Sequence, residues 1–405
     1  MLKAYKYRIY PTKSQSELIN KHIGSCRFVY NLALEAKQMA YAGSKTNLTC
    51  FDLVKQLPDL KKECEWLKKI NSQSLQQAIV NLDTAFTKFF KGQADFPNFR
   101  KKHKNRSFNV PQSVEIDVEN SKLHIPKFKK GIDIVLHRKF KGEIRQATLS
   151  RSATGRYFAS ILVDTNDKIP VKKPISESST VGIDLGVKSF LVSSDGVEFE
   201  NPKFLRKSLK RLSFTQRKYS KNKGKRTKRR LSILHEKVAN QRKDFLHKIS
   251  TQLINNHDSI AIENLNIKGM SATCKPKQDE NGKYLPNGQA AKSGLNKSIL
   301  DCGWGNFVEM LEYKAEWYGK SILRIGRFEP SSKTCSDCGY INKELTLKDR
   351  EWTCKCGSVL NRDVNAAINI KNFALRNHLS AEYRLKNRNE LPTLVGVLTC
   401  EAPTL

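Results

Sequence analysis

Two short apolar segments, each ending in an acid, constrain the fold most strongly. Val181–Asp184 is followed by Leu185 and Gly186, and Ile260–Glu263 is followed by Asn264. Short apolar runs bounded in this way are typical of strands buried on both faces of a sheet. Acids at the ends of central strands lie at the rim of a sheet, where open α/β folds bind ligands, so we expect both acids to contribute to one site.

A third acid, Asp363, precedes a helix with apolar periodicity. Three carboxylates gathered at one sheet edge repel one another unless cations are bound among them. Oxygen ligands suit Mg²⁺ or Mn²⁺, and two such ions roughly 3.5–4 Å apart can activate a water and stabilise the leaving oxygen of a phosphodiester. A single strand-end Asp more often forms a turn or caps a helix. The order strand-Asp, strand-Glu, Asp-helix nevertheless predicts a metal-dependent nuclease site at Asp184, Glu263 and Asp363.

Four of the ten cysteines form two closely spaced pairs: Cys335 with Cys338, and Cys354 with Cys356. Each pair is followed by a glycine, Gly339 or Gly357, which allows a tight turn beneath a metal. The arrangement predicts one structural Zn²⁺ held by four thiolates in a zinc ribbon. The uneven placement of the cysteines favours a reducing compartment with one metal site over a disulfide framework.

The charge of the chain indicates a polyanionic partner. It has 73 Lys and Arg residues against 39 Asp and Glu residues, a formal net charge of +34. Nucleic acid is the common polyanion that compensates such a charge. Residues 203–230 contain 14 basic residues and no acid. They predict a basic helix that contacts a phosphate backbone, with these candidate contacts: Lys207, Lys210, Arg211, Arg217, Lys221, Lys225, Arg226 and Arg229.

The N-terminal part of the chain predicts a helical segment inserted into a β unit. Residues 2–9 alternate like a strand, and Thr12 with Gln15 forms a capping-box signal for a helix start. Residues 12–100 have mainly helical periodicity. Residues 107–165 consist of short alternating runs separated by turn-forming residues, which predicts strands.

Beyond the β unit, residues 166–179 contain two prolines and are predicted to be a linker. Residues 271–296, rich in Gly, Lys, Asn and Gln, are predicted to form a loop. No apolar run approaches a membrane span, and the charged N-terminus lacks the apolar core of a signal peptide. We therefore expect a cytoplasmic protein with no membrane contact.

Taken together, these segments resemble the TnpB family, nucleases encoded by insertion sequences and related to type V CRISPR effectors. The family's three nuclease motifs are matched by VGIDLGVKSF, IAIENL and NRDVNAAINI. An N-terminal segment also matches, YRIYPTKSQSELINKHIGSCRFVYN, as do WGNFVEMLEYKAEWYG and the ribbon opening PSSKTCSDCG. The resemblance thus covers most of the chain. Two departures are the CKC pair, where the family commonly has a two-residue gap, and Leu360-Asn361, where it often has His-Asp.

The resemblance implies a multidomain α+β fold. It would contain a β-barrel wedge domain (1–11 and 105–170), a helical recognition insertion (12–104), an RNase H-like (RuvC) nuclease domain (180–330 and 361–386) and the zinc ribbon (331–360). Residues 387–405 lack a helical pattern, which predicts a disordered tail.

The resemblance also implies an RNA-guided DNA endonuclease. Such an enzyme binds a guide RNA from the transposon end and cuts double-stranded target DNA beside a short motif. Asp184, Glu263 and Asp363 match the family's catalytic acids. Glutamine can pair bidentately with adenine, so we expect motif recognition near the helix that begins at Asn71, with these candidates: Gln73, Gln76, Gln77 and, by position in the family, Phe108 and Asn109.

Two alternatives stay open. One is a guide-dependent DNA-binding repressor without cleavage, which the loss of a catalytic acid would mark. The other is a transposase or transposition accessory protein, which an assay for DNA joining would distinguish from a nuclease. The sequence favours neither a monomer nor a dimer.

Overall fold

The computed structural model describes residues 1–104, 106–346 and 349–389. The chain divides into two compact units after Lys168. Each unit combines a β-sheet with helices, so the chain is a multidomain α+β protein, as predicted. None of the helices in the described ranges combines the length and apolar character that a membrane span requires.

A seven-stranded antiparallel sheet forms the base of the first unit. Its strands are β1 (Leu2–Tyr10), β2 (Ser107–Val110), β3 (Glu115–Asp117), β4 (Lys122–His124), β5 (Ile132–Val135), β6 (Glu143–Arg151) and β7 (Tyr157–Asp164). They lie in the order β2-β6-β7-β1-β5-β4-β3. Among the described residues the edge strands β2 and β3 are not paired with each other, so the expected barrel is an open half-barrel sheet.

The helices of the first unit are inserted between β1 and β2. They are α1 (Lys13–Ser44), α2 (Cys50–Lys55), α3 (Leu57–Glu63), a 3-10 turn (Glu65–Lys69) and α4 (Ser72–Phe90). The predicted start of α1 is confirmed, since the Thr12 hydroxyl accepts the backbone N–H of Gln15 and the Gln15 side chain accepts the N–H of Thr12. Apolar residues of these helices, among them Leu34 and Leu75, share one core with the sheet.

The second unit is built on a mixed sheet. Its strands are β8 (Thr180–Asp184), β9 (Ser189–Ser193), β10 (Glu198–Glu200), β11 (Ser259–Glu263) and β14 (Ser321–Ile325), in the order β10-β9-β8-β11-β14. The strands β8, β11 and β14 are parallel, whereas β9 and β10 join as an antiparallel extension. Two small hairpins are separate from this sheet: β12 (Lys277–Gln278) with β13 (Tyr284–Leu285), and β15 (Glu351–Thr353) with β16 (Val359–Asn361).

The second unit also contains helices, some of which cover the two faces of the mixed sheet. They are α5 (Phe204–Asn222), α6 (Lys225–Asn256), α7 (Ile267–Met270), α8 (Gln289–Cys302), α9 (Trp304–Tyr318) and α10 (Arg362–Asn389). Ile260 and Ile262 of β11 pack in a core with α6 and α9, whereas Ala261 between them packs against α10. This alternation explains why β11 is apolar throughout. The predicted tail begins inside α10, and its remaining residues, 390–405, lie outside the described residues.

Candidate active site and zinc site

Neighbouring parallel strands place Asp184 and Glu263 at one sheet edge. Ile183 of β8 is paired with Ile262 of β11, and each acid follows directly as the last residue of its strand. The preceding residues of both strands are buried, whereas both acids are half-buried. The two acids thus lie where the sequence pattern predicted them, at the carboxyl ends of central strands.

The helix α10 brings Asp363 to the sheet by packing against β8. The helix lies so near Gly182 that a Cβ there would overlap the carbonyl oxygen of Ala367 and lie 2.7 Å from the backbone nitrogen of Lys371. Because every other residue type has a Cβ, Gly182 is the residue that permits this packing. The sequence analysis did not identify this role.

The start of α10 is fixed by Asn361. Its Oδ1 accepts the backbone N–H groups of Asp363 at 3.1 Å and of Val364 at 3.2 Å. Asp363 therefore lies in the first helical turn, where the partial positive charge of the helix end favours a carboxylate.

The three acids are electrostatically coupled. Burial, followed by the negative charges of Glu263 and Asp363, raises the pKa of Asp184 to about 7, and the charge of Arg362 opposes this increase. Such a combination of burial and like charges is typical of functional carboxylates. The structure therefore brings the three predicted acids into one site, where a bound cation would relieve their repulsion.

Side chains that the sequence analysis missed hold two of these acids. Arg350 Nη1 donates to Asp363 Oδ2 at 2.7 Å, and Arg362 Nη2 donates to Asp363 Oδ1 at 3.2 Å. Ser331 Oγ donates to Glu263 Oε1 at 2.6 Å. Arg362 could have been suspected because it directly precedes Asp363. No spacing rule relates Ser331 or Arg350 to the acids, since both lie in the cysteine-rich insertion.

The four predicted zinc ligands converge. Their sulfur atoms all lie within 4.8 Å of one another, and this is the one group of three or more potential metal ligands of that compactness in the described ranges. The Sγ–Sγ distance is 3.8 Å for Cys335–Cys356 and 3.5 Å for Cys338–Cys354. A tetrahedral Zn²⁺ with Zn–S bonds of about 2.3 Å separates its sulfurs by about 3.8 Å, so the cluster fits zinc. The short CKC spacing does not prevent this convergence.

Each cysteine pair lies on a tight turn. Gly339 donates its N–H to the carbonyl of Cys335, Gly357 donates to that of Cys354, and both glycines have positive φ angles, 77° and 90°. Hydrogen bonds from Ser358 lower the pKa of Cys356 to about 6, which favours the thiolate that zinc binds. The predicted turns beneath the metal are therefore present.

The basic segment forms a helical hairpin instead of the single helix that was predicted. The break between α5 and α6 lies at Lys223 and Gly224. All fourteen basic side chains of residues 203–230 are exposed, and none of them forms an ion pair with a residue that the structure describes. The hairpin has its own apolar contact between Leu212 and Leu234. Its surface is thus fixed in shape and uncompensated in charge.

A buried acid anchors this hairpin. The carboxylate of Asp301 accepts the backbone N–H of Leu205, the first turn of α5, at 2.9 Å. The same carboxylate pairs with Arg242 Nη2 of α6 at 2.6 Å. Asp301 therefore ties both helices to α8.

The candidates for motif recognition lie on α4 and β2. Gln76 is exposed, whereas Gln77 is half-buried and donates to Asn81. Gln73 Nε2 donates to Gln112 Oε1 at 2.7 Å. On β2, Asn109 is half-buried.

Phe108 does not fit this role in the described structure. Its side chain is 2% exposed and packs against the ring of His22 at a centroid distance of 4.9 Å. This burial leaves no ring face for a nucleotide, because β2 alternates and directs Phe108 into the core.

Three family models match parts of the chain. They describe a Cas12f1-like TNB domain at residues 304–370, a probable transposase at residues 160–273 and a helix-turn-helix domain at residues 1–46. In the structure, residues 1–46 contain one strand, β1, and one long helix, α1.

Relatives match nearly the whole chain. The TnpB-like protein L770 of Acanthamoeba polyphaga mimivirus is 22% identical, over 92% of this chain and 73% of that protein. A protein of Streptomyces pristinaespiralis, named "Putative RNA-guided DNA endonuclease", is 35% identical over 378 residues, which cover 91% of this chain and 88% of that protein. The chain belongs to the TnpB family. Within this family, the protein InsQ of Escherichia coli K12, which has the same descriptive name, is 34% identical over 91% of each chain.

Solved structures give a weaker likeness. The Cas12f1 chain of a complex with sgRNA and target DNA has a TM-score of 0.35 and 19% identity, over 92% of this chain and 99% of that chain. The mini-RNA-guided endonuclease Cas_phi3 has a TM-score of 0.43 and 9% identity, over 92% of each chain. Family membership therefore rests on the sequence relatives.

Proposed function

We propose that this protein is an RNA-guided DNA endonuclease that hydrolyses target DNA with Asp184, Glu263 and Asp363. The observation that carries the proposal is the position of Asp184 and Glu263 at the ends of adjacent parallel strands, with Asp363 near enough that burial and the charges of both other acids raise the pKa of Asp184 to about 7. The names of the relatives InsQ and the Streptomyces pristinaespiralis protein support the same activity.

The donor set fits Mg²⁺ or Mn²⁺. All three side chains offer carboxylate oxygens, which these ions prefer, and the shifted pKa marks a position where positive charge is favourable. We propose that Asp184, Glu263 and Asp363 hold two such ions. When bound, a pair of ions supplies an activated water and neutralises the leaving oxygen of the phosphodiester.

The arginines at the site have a role in charge compensation. Arg350 and Arg362 together contact both oxygens of Asp363 and offset its charge. A guanidinium also binds phosphate oxygens strongly. We propose that these two side chains help to orient the scissile phosphate once DNA enters the site.

Guide RNA and target DNA account for the basic surface. The α5–α6 hairpin presents fourteen basic side chains without a compensating acid among the described residues. Contacts of this kind bind a phosphate backbone and carry no sequence information. Target choice would then come from pairing with the guide RNA, as the family resemblance implies.

The predicted domains can be assigned to the two units. We propose that the seven-stranded sheet is the wedge domain and that α1–α4 form the recognition insertion. The mixed sheet with α5–α10 would be the RNase H-like (RuvC) nuclease domain, and β15–β16 with the four cysteines the zinc ribbon. The mixed sheet supports this assignment. Its three parallel strands are extended by an antiparallel pair, and two adjacent strands end in an acid.

Reconstitution tests the function and separates it from its alternatives. RNA that copurifies with the protein is sequenced, its guide segment is replaced, and the complex is incubated with plasmids that carry the matching target beside a randomised flank. We expect cleavage that follows the new guide, requires a divalent cation and selects one flanking motif. Guide-dependent binding without cuts would indicate a repressor, and joined DNA ends would indicate a transposase.

A further inference from the structure

The side chain of Ser331 connects the zinc ribbon to Glu263. Ser331 precedes the first cysteine pair, and the residue is 6% exposed. Its Oγ donates to Glu263 Oε1 at 2.6 Å. Within the described ranges, the other carboxylate oxygen, Oε2, accepts no hydrogen bond. One oxygen of Glu263 is therefore held by the protein, and the other is left for a ligand.

The backbone of Ser331 is held in turn by α10. Asn369 Nδ2 donates to the carbonyl of Ser331 at 2.8 Å and to that of Thr334 at 2.6 Å. The residue Asn369 is 3% exposed. This buried amide is costly to displace, because among the described residues the carbonyl of Ser331 would then be left without a hydrogen-bond donor.

A second asparagine extends this contact to the other side of the first zinc ligand. Asn365 is 1% exposed, and its Nδ2 donates to the carbonyl of Thr334 at 2.7 Å. Its Oδ1 accepts the backbone N–H of Ser336 at 2.9 Å. Asn365 and Asn369 therefore fix the chain on both sides of Cys335 to α10, the helix whose first turn contains Asp363.

We propose that Ser331 is a positioning residue for Glu263 and that Asn365 and Asn369 hold it in place. The inference rests on the proposed role of Glu263 as a metal ligand. A hydrogen bond to one oxygen of a ligating carboxylate fixes its rotation, and removal of such a partner typically weakens metal binding about 10–100-fold. The zinc ribbon then stabilises its own fold and also sets the orientation of one acid of the nuclease site.

The test compares Ser331→Ala with two controls in the complex with guide RNA and target DNA. Ser331→Thr keeps a hydroxyl at the same position. Ser332→Ala removes the neighbouring hydroxyl, which has no hydrogen bond to Glu263. Two quantities are measured. The first is the Mg²⁺ concentration that gives half-maximal cleavage. The second is the affinity for Mn²⁺ at the nuclease site, where the site's ions are identified as those that the Asp184→Ala protein no longer binds. Zinc content is measured for every variant.

For Ser331→Ala we expect both metal affinities to fall about 10–100-fold while one zinc per chain is retained. Saturating Mg²⁺ should restore most of the cleavage rate. Ser331→Thr should retain most of the metal affinity, and Ser332→Ala should match the unchanged protein.

Two results would overturn the inference. One is unchanged Mg²⁺ and Mn²⁺ affinities in Ser331→Ala. The other is a loss of zinc and of cleavage that no Mg²⁺ concentration restores, which would make Ser331 purely structural. Full cleavage by Glu263→Ala would instead refute the proposed function, so the two failures are distinguishable.

Discussion

Gly182 faces the carbonyl oxygen of Ala367 so closely that a Cβ at residue 182 would overlap that oxygen. This contact sets the distance between β8, which ends in Asp184, and α10, which begins beside Asp363. The change Gly182→Ala should push the helix away from the strand. A misplacement of about 1 Å at a catalytic group costs on the order of 100-fold in rate, so we expect a loss of cleavage of that size in a single-turnover assay.

A matched glycine provides the control for this prediction. Gly294 of α8 has no heavy atom within 4 Å of an added Cβ. Gly294→Ala should therefore leave cleavage unchanged and stabilise the helix by at most about 1 kcal/mol. Equal cleavage by both variants would show that the approach of α10 to β8 does not position the acids.

The zinc ribbon should depend on its metal for folding. Its apolar core among the described residues consists of little more than Trp352, Leu345 and the cysteines themselves, which is too small to fold without a metal. We expect Cys335→Ser to abolish zinc binding and to increase proteolysis of residues 331–360. Cys274→Ser, at a half-buried cysteine outside the cluster, should retain one zinc per chain by elemental analysis. Native protein without zinc would contradict this assignment.

The exposed Gln76 is the sharpest test of motif recognition. If its amide pairs with a base edge, Gln76→Ala should relax the preference at one motif position by roughly 1–3 kcal/mol of discrimination. Lys225→Ala, in the basic hairpin, should instead weaken binding to all sequences alike and reduce its salt dependence. A cleavage selection on randomised flanks measures both. An unchanged preference in a combined Gln76→Ala, Gln77→Ala and Asn109→Ala protein would place recognition elsewhere.

The buried His22 should make the first unit sensitive to acid. Its Nδ1 lies 2.9 Å from the carbonyl of Leu18, so it is the protonated nitrogen, and Nε2 accepts the N–H of Asn71 at 3.1 Å. Burial lowers the pKa of His22 below its usual 6.5. The unfolded chain therefore binds the proton first as the pH falls below about 6.5, and stability is lost by up to about 1.4 kcal/mol per pH unit.

Denaturant unfolding of the full chain at pH 7.5, 6.5 and 5.5 measures this effect. The difference in unfolding free energy between the natural protein and His22→Gln isolates the histidine from other titrating groups. We expect this difference to be largest at pH 7.5 and to shrink at pH 5.5. A difference that stays constant with pH would show that protonation of His22 does not oppose folding.

Local patterns predicted the elements that depend on local physics. The capping box at Thr12 and the two strands that end in Asp184 and Glu263 follow from short-range rules, and the structure contains them. The start of α8 was predicted as loop because residues 271–296 are rich in Gly, Lys, Asn and Gln. In the structure, residues 289–296 are helical, and the Asn296 amide donates to the carbonyls of Ser271 and Ala272. Such long-range contacts leave no local periodicity.

The candidate site also combines residues that local sequence patterns predict with residues that only the folded chain brings together. Its acids could be predicted because each follows an apolar strand or begins a helix. Ser331 and Arg350 could not, since only the folded insertion brings them to Glu263 and Asp363. The burial of Phe108 follows the alternation of β2, in which Phe108 and Val110 are buried and Ser107 and Asn109 are not, a local pattern that the choice of Phe108 by position in the family did not use.

Guided cleavage by Asp184→Ala tests the central claim most directly. The variant is loaded with the same guide RNA as the unchanged protein, and both are compared on one matched target with Mg²⁺ or Mn²⁺ present. Since burial and the charges of both Glu263 and Asp363 act on Asp184 at the proposed metal site, its loss should abolish cleavage while RNA binding and guide-dependent DNA binding stay intact. Full cleavage by Asp184→Ala would contradict the assignment of the active site.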